Sequence, residues 1–350
     1  MKIIFVISAM NGGGAERVLA TLANRYAGQG DEVTILMVAG DESAYPLDPK
    51  VHILSIGQAS HGNPFIQGKR LSAMRRYFKA HKDHVIVSFG TQINLFTILS
   101  TFGLRNRVIV SERNDPQQCG YKSIRNMIYS FGKGFVFQTK EAREHFPEKI
   151  RKRSVVIPNP IRSNLPQPFL CRREKKIAAV GRLELQKNHM LLLEAFAGFH
   201  KNYPEWELHI FGKGTLEQKL KKRAEELEIG GSVVFEGFQH DILEKIKTYG
   251  MYVLSSDYEG ISNSLMEAMA MGLPCISTDC PIGGSALCIE DCKNGLLTPV
   301  RDVGALQKAM ERLAGDEMFA ERLCRNAIEV RDTFAERKIA EQWHDYIGGY

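Results

Sequence analysis

The 350-residue sequence lacks features that define several classes of protein. Its longest apolar run near the start, residues 3–7, is shorter than the roughly 7–15 residues of a signal-peptide core or the ~20 of a membrane span. Its seven cysteines include no C-x-x-C pair, which is typical of reduced thiols rather than a disulfide framework. There is no Asp-x-Asp and no pair of His and Cys at zinc-ligand spacing. These absences predict a cytosolic-type chain without a metal or another cofactor.

The charge of +6 is modest and unevenly spread. Residues 1–160 hold 22 Lys and Arg against 12 Asp and Glu, a net charge of +10, whereas residues 161–350 hold 24 against 28, a net charge of −4. This asymmetry predicts that an anionic surface or substrate meets the first half of the chain.

Short apolar runs alternate with amphipathic helical stretches, which is typical of βαβ units on a parallel sheet. The first half has strand candidates at 2–8, 32–38, 51–56, 84–89, 107–111, 134–138 and 154–157. The second half has candidates at 176–180, 207–211, 232–236, 251–255, 274–278 and 296–298. Because one hydrophobic core stops growing near roughly 250 residues, the alternation predicts two doubly wound, Rossmann-like α/β domains with ligands at the carboxyl ends of their strands.

A proline-rich stretch separates the two series of strands. Pro158-Asn159-Pro160 is followed by Pro166 and Pro168, and these prolines prevent a helix from continuing. The sequence therefore predicts domains at 1–158 and 159–330, and a C-terminal helical segment at 331–350 that packs back toward the N-terminal domain, with Ile339, Trp343 and Tyr346 on one helical stripe.

A glycine turn, Gly12-Gly13-Gly14, follows the first strand and precedes a helix with an apolar face. Glycines there let backbone N–H groups approach an anion at the helix N-terminus. The turn does not match the dinucleotide fingerprint G-x-G-x-x-G, because Arg17 stands where the third glycine would be. The pattern fits an anion site, or a turn that binds nothing.

Two cations, Arg182 and Lys187, follow the first strand of the second half and precede a helix. Two fixed cations together with helix amides can hold a diphosphate. The spacing alone fits an exposed pair on a polar loop equally well.

Two carboxylates, Glu259 and Glu267, are separated by seven residues, with the first in a loop after a strand and the second in a helix. Ser264-x-x-Glu267 matches a capping box, which would explain Glu267 without a ligand. Glu259 stays unexplained, as do Ser262, Asn263 and Ser264, whose amides we expect to be exposed at the helix start as a second anion site.

Smaller signals come from the ends of two strands. Gly212 and Gly214 end a strand of the second half, as is needed where a planar base lies close to the backbone, although an ordinary turn also explains them. Glu112, Arg113 and Asn114 directly follow a buried strand of the first half. Loops held on such a scaffold often carry function.

Together these residues resemble the retaining, nucleotide-sugar-dependent glycosyltransferases of family 4, which have the GT-B fold of two Rossmann-like domains facing a central cleft. The resemblance covers nearly the whole chain. It comprises Gly-Gly-Ala-Glu at 13–16, Ile-Pro-Asn-Pro at 157–160, Gly-Arg and Lys-Asn within 181–188, Gly-Lys-Gly at 212–214, and the two glutamates within Glu-Gly-Ile-Ser-Asn-Ser-Leu-Met-Glu at 259–267.

The resemblance implies a role for each motif. Arg182, Lys187 and Glu259 are the implied catalytic residues: the two cations neutralise the leaving diphosphate, and the carboxylate contacts the transferred sugar. The implied donor-binding residues are Gly13, Gly14, Gly212, Gly214, Ser262, Asn263, Ser264, Leu265 and, on the ribose, Glu267. Glu112, Arg113 and Asn114 are implied on the acceptor or sugar side. Many relatives have a His at the position of Arg113, and a guanidinium cannot act as a base, although it can hold an anion.

By this resemblance we expect a retaining, metal-independent hexosyltransferase that moves a UDP-linked hexose or N-acetylhexosamine to a glycan. The expected acceptor is a polyprenyl-diphosphate-linked oligosaccharide of bacterial surface polysaccharide or glycoprotein glycan assembly. The nucleotide sugar is a substrate, so no cofactor is expected, and neither is a nucleic-acid partner. The alternatives are a GT-B-like sugar-nucleotide epimerase, a phosphorylase, a nucleotide-binding module without activity, and a glycosyltransferase with a soluble acceptor.

A basic amphipathic segment at 69–79 bears on where the protein is located in the cell. Leu71, Met74 and Phe78 fall on one helical face, and five basic residues cover the rest. Such a helix can lie on an anionic leaflet, which predicts a cytoplasmic protein that is peripheral at the inner face of the membrane. In the alternative, the apolar stripe packs on the sheet of the first domain and the cations are a solvated face.

Overall fold

The computed structural model describes residues 1–57, 64–239 and 241–350, with Pro64 described by its backbone alone. The chain divides into two compact units, one formed by Met1–Pro160 with Glu336–Tyr350 and the other by Ile161–Ala335. The C-terminal segment of the first unit thus begins at Glu336 rather than at the predicted 331. The difference arises because Arg331 donates from Nε to the carbonyl oxygen of Ala270, 2.7 Å away, within the second unit.

Each unit contains one parallel sheet. The strands of the first unit are β1 (Lys2–Ile7), β2 (Glu32–Met37), β3 (His52–Ser55), β4 (Val85–Phe89), β5 (Arg107–Ser111), β6 (Gly134–Phe137) and β7 (Ser154–Val156). Those of the second unit are β8 (Glu174–Val180), β9 (Glu207–Phe211), β10 (Val233–Gly237), β11 (Tyr249–Leu254), β12 (Cys275–Thr278) and β13 (Leu296–Thr298). Every predicted strand is present, with ends shifted by at most two residues.

Helices connect the strands. They are α1 (Gly14–Gly28), α2 (Pro64–Ala80), α3 (Thr91–Thr101), α4 (Lys122–Tyr129), α5 (Lys140–Glu144), α6 (Glu148–Arg151), α7 (His189–Asn202), α8 (Glu217–Glu226), α9 (Ile242–Ile246), α10 (Asn263–Ala270), α11 (Val303–Gly315), α12 (Glu317–Ala327), α13 (Val330–Thr333) and α14 (Glu336–Gly348). Single 3₁₀ turns lie at Pro116–Gln118, Leu185–Lys187 and Gly230–Ser232. Among the described residues, no helix combines the length and apolarity that crossing a bilayer requires.

Both sheets have a doubly wound strand order. The first runs β3-β2-β1-β4-β5-β6-β7 and the second β10-β9-β8-β11-β12-β13, with every pair parallel. The order reverses between β1 and β4 and between β8 and β11, so the connections leave these central strands in opposite directions. Ligands of such sheets bind at this reversal, outside the carboxyl ends of the strands. The topology therefore directs attention to the segments after β1, β4, β8 and β11.

Helices cover both faces of each sheet, which is why the central strands are buried along almost their whole length. In the first unit, Val85 and Val87 face a cluster that includes α1 and α14, whereas Ile86 faces a cluster that includes α2 and α3. Met74 and Phe78 of α2 are completely buried in that second cluster. Met74 and Phe78, two of the three residues of the predicted stripe, therefore pack on the sheet and cannot contact a membrane, whereas Leu71 is half-buried.

The C-terminal helix α14 completes the core of the first unit. The Trp343 ring stacks on Phe89, with centroids 5.7 Å apart, and the Tyr26 hydroxyl donates to the Ala340 carbonyl oxygen at 2.8 Å. Ile339 and Trp343 are buried, as expected from their shared helical stripe.

Candidate active site

The loops after β8 and β11 meet at the strand-order reversal of the second unit. The amide of Asp257 donates to the carbonyl oxygen of Gln186 at 2.9 Å, and the Gln186 side-chain amide donates to the carbonyl oxygen of Tyr258 at 3.0 Å. The Ser255 hydroxyl donates to the carbonyl oxygen of Lys187 at 2.9 Å. These bonds join two segments about seventy residues apart in sequence, so the predicted cations and Glu259 share one site.

Lys187 and Glu259 form an ion pair in this site. Their side chains are only 14% and 12% exposed, and the Ser256 hydroxyl also donates to Glu259 Oε1 at 3.1 Å. Removing one partner of an ion pair so shielded from solvent leaves a costly buried charge. The lysine is therefore held in place, and its charge is neutralised by a carboxylate that an anionic ligand would have to replace or share.

Arg182 has a different setting. Its side chain is exposed, and its Nη2 lies 3.4 Å from Gln186 Oε1, a long contact for a hydrogen bond. The structure thus places one fixed cation and one exposed cation at the end of β8. Such a pair can bind a diphosphate with the mobile guanidinium adjusting to it.

Asn188 fixes the chain where it turns from Lys187 into α7. Its backbone is left-handed, with φ of +43°, and its Oδ1 accepts from the Leu191 amide at 3.2 Å as the helix cap. Its Nδ2 donates to Asp257 Oδ1 at 2.8 Å. Asparagine tolerates this backbone region better than most residues, so its place after Lys187 has a structural reason that the sequence analysis missed.

His189 adds no charge to the site at neutral pH. Its side chain is buried, and burial together with the nearby Lys187 lowers the pKa of the imidazole to about 4. The positive charge here therefore comes from Arg182 and Lys187.

The glycines at the ends of the strands are explained by close backbone contact. Gly212 has φ of +139°, and a Cβ on it would overlap the carbonyl oxygen of Gly181. A Cβ on Gly214 would overlap the carbonyl oxygen of Leu183. The Gly181 amide donates to Phe211 at 3.0 Å, so the loops after β8 and β9 lie against each other. Backbone packing thus accounts for both glycines without a ligand.

The start of α10 differs from the predicted capping box. The cap is Ser262, whose hydroxyl accepts from the Leu265 amide at 3.4 Å. Ser264 instead accepts from the Tyr252 hydroxyl at 2.7 Å. Ser262, Asn263 and Leu265 are buried and Ser264 is half-buried, so the side chains here are largely shielded from solvent, and the anion site at the amides of 262–264 stays a prediction.

Glu267 forms an ion pair with Arg162. The Arg162 Nε donates to Glu267 Oε1 at 2.6 Å, and the carboxylate is only 4% exposed. Arg162 was not a predicted site residue, since it lies 105 positions away in the segment that follows Pro160. A buried carboxylate fixed by a cation can accept hydrogen bonds from a diol.

In the first unit, Glu112 lies inside the protein rather than on an open loop. It is 3% exposed and accepts hydrogen bonds from Tyr129, from Asn94 at 3.0 Å and from Thr91 at 3.0 Å. Burial raises the pKa of Glu112 above its ordinary value. Glu112 therefore links the segments that follow β4 and β5, and its predicted role on the acceptor or sugar side stays a prediction.

Arg113 follows directly and is a shielded cation. Its Nη2 donates to Asn159 Oδ1, and its guanidinium lies 5.5 Å from the centre of the Phe89 ring. Burial lowers the pKa of Arg113 to about 9, so the group keeps its charge at neutral pH. Its Nε and Nη1 are buried and have no hydrogen-bond partner within the described part of the chain. Two unpaired donors on a buried cation favour an oxygen-bearing ligand. Asn114, by contrast, is exposed.

The glycine turn after β1 contains a carboxylate. Gly13 is the N-cap of α1, and the Glu16 side chain folds back so closely that a Cβ on Gly13 would overlap its carboxylate. A negative charge at this helix start is stabilising and opposes a second anion at the same amides. The predicted donor-binding role of Gly13 and Gly14 stays a prediction, and any anion bound at this turn would lie beside the Glu16 carboxylate.

Comparison with known proteins adds a family and a fold. A family model described as "Glycosyl transferases group 1" matches residues 163–330. The chain is 30% identical to a Campylobacter jejuni protein named GalNAc-alpha-(1->4)-GalNAc-alpha-(1->3)-diNAcBac-PP-undecaprenol alpha-1,4-N-acetyl-D-galactosaminyltransferase, over 98% of this chain and 97% of that one. It is 24% identical to a second C. jejuni protein, N-acetylgalactosamine-N,N'-diacetylbacillosaminyl-diphospho-undecaprenol 4-alpha-N-acetylgalactosaminyltransferase, over 99% of this chain and 100% of that one.

Solved structures share the fold. The crystal structure of Anabaena Alr3699/HepE in complex with UDP and glucose aligns with a TM-score of 0.87 over 100% of both chains, at 16% identity. The apo form of the lipopolysaccharide outer core galactosyltransferase WaaB aligns with a TM-score of 0.77 over 100% of this chain and 99% of that one, at 18% identity. At these identities the likeness shows the fold alone.

The backbone contact at Gly212 generates a prediction. Gly212→Ala forces a Cβ against the Gly181 carbonyl oxygen at a φ that L-residues rarely adopt, so the loop carrying Arg182 must shift. We expect a loss of stability of about 1–3 kcal/mol, measured by urea denaturation. Gly231→Ala is the matched control, because a Cβ there meets nothing within 4 Å. Equal stability of the two variants would show that the close approach is not present in solution.

Proposed function

The chain belongs to the group 1 glycosyl transferases and has the GT-B fold, and we propose that it is a retaining enzyme that transfers a hexose or N-acetylhexosamine from a UDP-sugar to a lipid-linked glycan. The observation that carries this proposal is the grouping of Lys187, Glu259 and Arg182 at the strand-order reversal of the second unit. That grouping offers positive charge where a departing diphosphate needs it.

In this proposal the donor diphosphate displaces Glu259 as the ion-pair partner of Lys187. In the free protein the lysine is neutralised by Glu259, whereas Arg182 is exposed. A diphosphate carries more negative charge than one carboxylate, so it competes for the lysine and draws in the arginine. Glu259 is then released toward the sugar hydroxyls, which links diphosphate binding to sugar binding. The choice of UDP is supported by the fold neighbour in complex with UDP and glucose.

The Glu267 carboxylate accepts hydrogen bonds from the ribose hydroxyls of the donor nucleotide. Its carboxylate is buried and held by Arg162, so its oxygens are fixed before the nucleotide arrives. Because a ribose hydrogen bond is present in both ground and transition states, this contact contributes to donor affinity more than to turnover.

Retention without a covalent intermediate needs attack on the anomeric carbon from the face that the diphosphate leaves. Retaining hydrolases that use a covalent nucleophile place that carboxylate about 5 Å from a second acid. The hydrogen-bond partners of Glu259 are Lys187 and Ser256 rather than a second acid. In the step we propose, the acceptor oxygen bonds to the anomeric carbon as the bond to the phosphate oxygen breaks. The acceptor proton moves to that phosphate oxygen, and the two cations stabilise the charge.

The acceptor is proposed to be a polyprenyl-diphosphate-linked glycan presented at a membrane surface. The names of both C. jejuni relatives specify undecaprenol-linked acceptors, which supports this choice. The first unit offers Arg113, a shielded guanidinium with two unpaired donors, to an anionic group of the acceptor. The net charge of +10 on residues 1–160 acts in the same direction.

A panel of nucleotide sugars tests the function. We expect UDP-hexose or UDP-N-acetylhexosamine to transfer to a polyprenyl-diphosphate glycan with the anomeric configuration retained, read by mass spectrometry and NMR. UDP should raise the Tm more than GDP or ADP, because a ligand stabilises the state that binds it. Turnover should be unchanged in EDTA, since the proposed cations take the place of a metal ion.

Three results of the panel would contradict the proposal. Interconversion of free UDP-sugars without an acceptor would indicate an epimerase, and an inverted product would exclude retention. Activity that disappears in EDTA and returns with Mn²⁺ or Mg²⁺ would overturn metal independence.

Lys187→Ala tests stabilisation of the leaving group. We expect kcat to fall by about 10²–10³, the order seen when one preorganised charge stabiliser is removed. Lys187→Arg should retain part of the activity, because the charge stays. Lys222→Ala is the control for loss of a lysine, since this side chain is 77% exposed on α8 of the same unit. Near wild-type turnover by folded Lys187→Ala would remove the lysine from the mechanism.

Glu267→Gln tests the ribose contact. We expect the donor KM to rise about tenfold, equivalent to about 1.4 kcal/mol, with a smaller fall in kcat. Arg162→Ala separates this role from that of the ion pair, because it removes the pair and leaves the carboxylate in place. If the Arg162–Glu267 ion pair is only structural, both variants should lower the Tm and neither should change the donor KM.

A further inference from the structure

Five large apolar side chains form an exposed patch on the first unit. Their exposed fractions lie between 45% and 61%. We call this the apolar patch: Leu99, Phe102, Ile124, Met127 and Phe131. Monomeric proteins tolerate scattered exposed apolar side chains, whereas a cluster of this kind marks a binding surface.

The patch lies on α3, α4 and the residues that directly follow them, and these two helices pack against each other. Leu99 is at the end of α3, Phe102 directly follows that helix, and Ile124 and Met127 lie on α4. The Phe102 and Phe131 rings pack edge to face with centroids 5.2 Å apart, which joins the two helix ends. The inner faces of the same helices are buried against the sheet, so the outward side chains are not needed for the core.

The charge around the patch has one sign. Helices α2, α3 and α4 carry seven Lys and Arg residues and no Asp or Glu. Exposed cations on them include Lys69, Arg76, Lys79 and Lys122. Arg75 also reaches the patch, since its Nη1 donates to the carbonyl oxygen of Phe102 at 2.7 Å.

We infer that the apolar patch and these cations dock the first unit on an anionic lipid bilayer, an inference that rests on the proposed lipid-linked acceptor. Exposed aromatic and aliphatic side chains surrounded by Lys and Arg suit an interface in which apolar groups enter the headgroup region and cations meet lipid phosphates. A second copy of the chain does not suit this surface, because its patch would bring like charges together.

This surface differs from the one that the sequence predicts. Met74 and Phe78 of α2 pack inward, so α2 contributes mainly its cations. The apolar contact comes from α3 and α4, whose exposed side chains have no regular sequence signature.

Vesicle co-sedimentation tests the inference. The protein is mixed with phosphatidylglycerol–phosphatidylcholine vesicles and with pure phosphatidylcholine vesicles, at about 0.05 M and about 0.5 M NaCl. We expect binding to require the anionic lipid and to fall at high salt. The double variant Ile124→Ser with Met127→Ser should bind about tenfold more weakly, because apolar area contributes to interfacial binding. Met318→Ser is the control, since Met318 is 84% exposed in the second unit.

A charge variant tests the contribution of the exposed cations to vesicle binding. Arg76→Glu with Lys122→Glu should bind anionic vesicles about tenfold more weakly, whereas Lys222→Glu in the second unit should not. Absence of binding by the wild-type chain at low salt would overturn the inference, as would equal binding by the patch variant and the Met318 control. A dimer in lipid-free buffer that the patch variant disrupts would assign the surface to a second copy instead.

Two independent readouts separate this inference from the proposed function. The rise in Tm on adding UDP reports the donor site, and neither patch variant should change it, because their residues lie on the other unit. A chain that binds vesicles but neither responds to UDP nor transfers a sugar would retain the docking surface and lose the proposed function. A chain that transfers a sugar in detergent but never binds vesicles would retain the proposed function and lose the docking surface.

Discussion

The reversal of strand order beside a central strand is the constraint from which the site follows. In a parallel sheet all carboxyl ends share one edge, and connections that leave a central strand in opposite directions open a gap at that edge. In the second unit the gap lies between β8 and β11, so a loop containing Arg182 and Lys187 meets a loop containing Glu259. The segments are distant in sequence, and the topology makes them neighbours before any side-chain contact forms.

Much of the fold could be predicted from the sequence because parallel strands are buried along their length. Strand residues such as 251–254 are buried on both faces of the sheet and are therefore apolar throughout. These apolar runs alternate regularly with amphipathic helices. Helix stripes were equally informative, since Ile339 and Trp343 are buried together as expected. Strand ends shifted by up to two residues because the last residues depend on loop contacts that local sequence does not specify.

The site was less accessible, because its chemistry depends on partners that sequence spacing does not show. The sequence placed Glu259 in a loop after a strand and Glu267 in a helix, as the structure has them, but it offered a capping box as the local partner of Glu267 where the fold supplies Arg162. Glu112 follows a strand as a surface loop residue would, yet three donors from other segments make its burial favourable. Such differences are decided by tertiary hydrogen bonds, which outweigh the local pattern.

The path of the chain has a consequence for synthesis. The first unit is discontinuous, since its final helix α14 reaches the core after the chain has passed through all of the second unit. Until Trp343 is made, Phe89 lacks its stacking partner and the Tyr26 hydroxyl lacks the Ala340 carbonyl oxygen. On the ribosome the second unit, continuous in sequence, can therefore mature before the first, which reverses the usual N-terminal-first order. The unit that carries the basic, apolar surface is therefore completed only after α14 has been made.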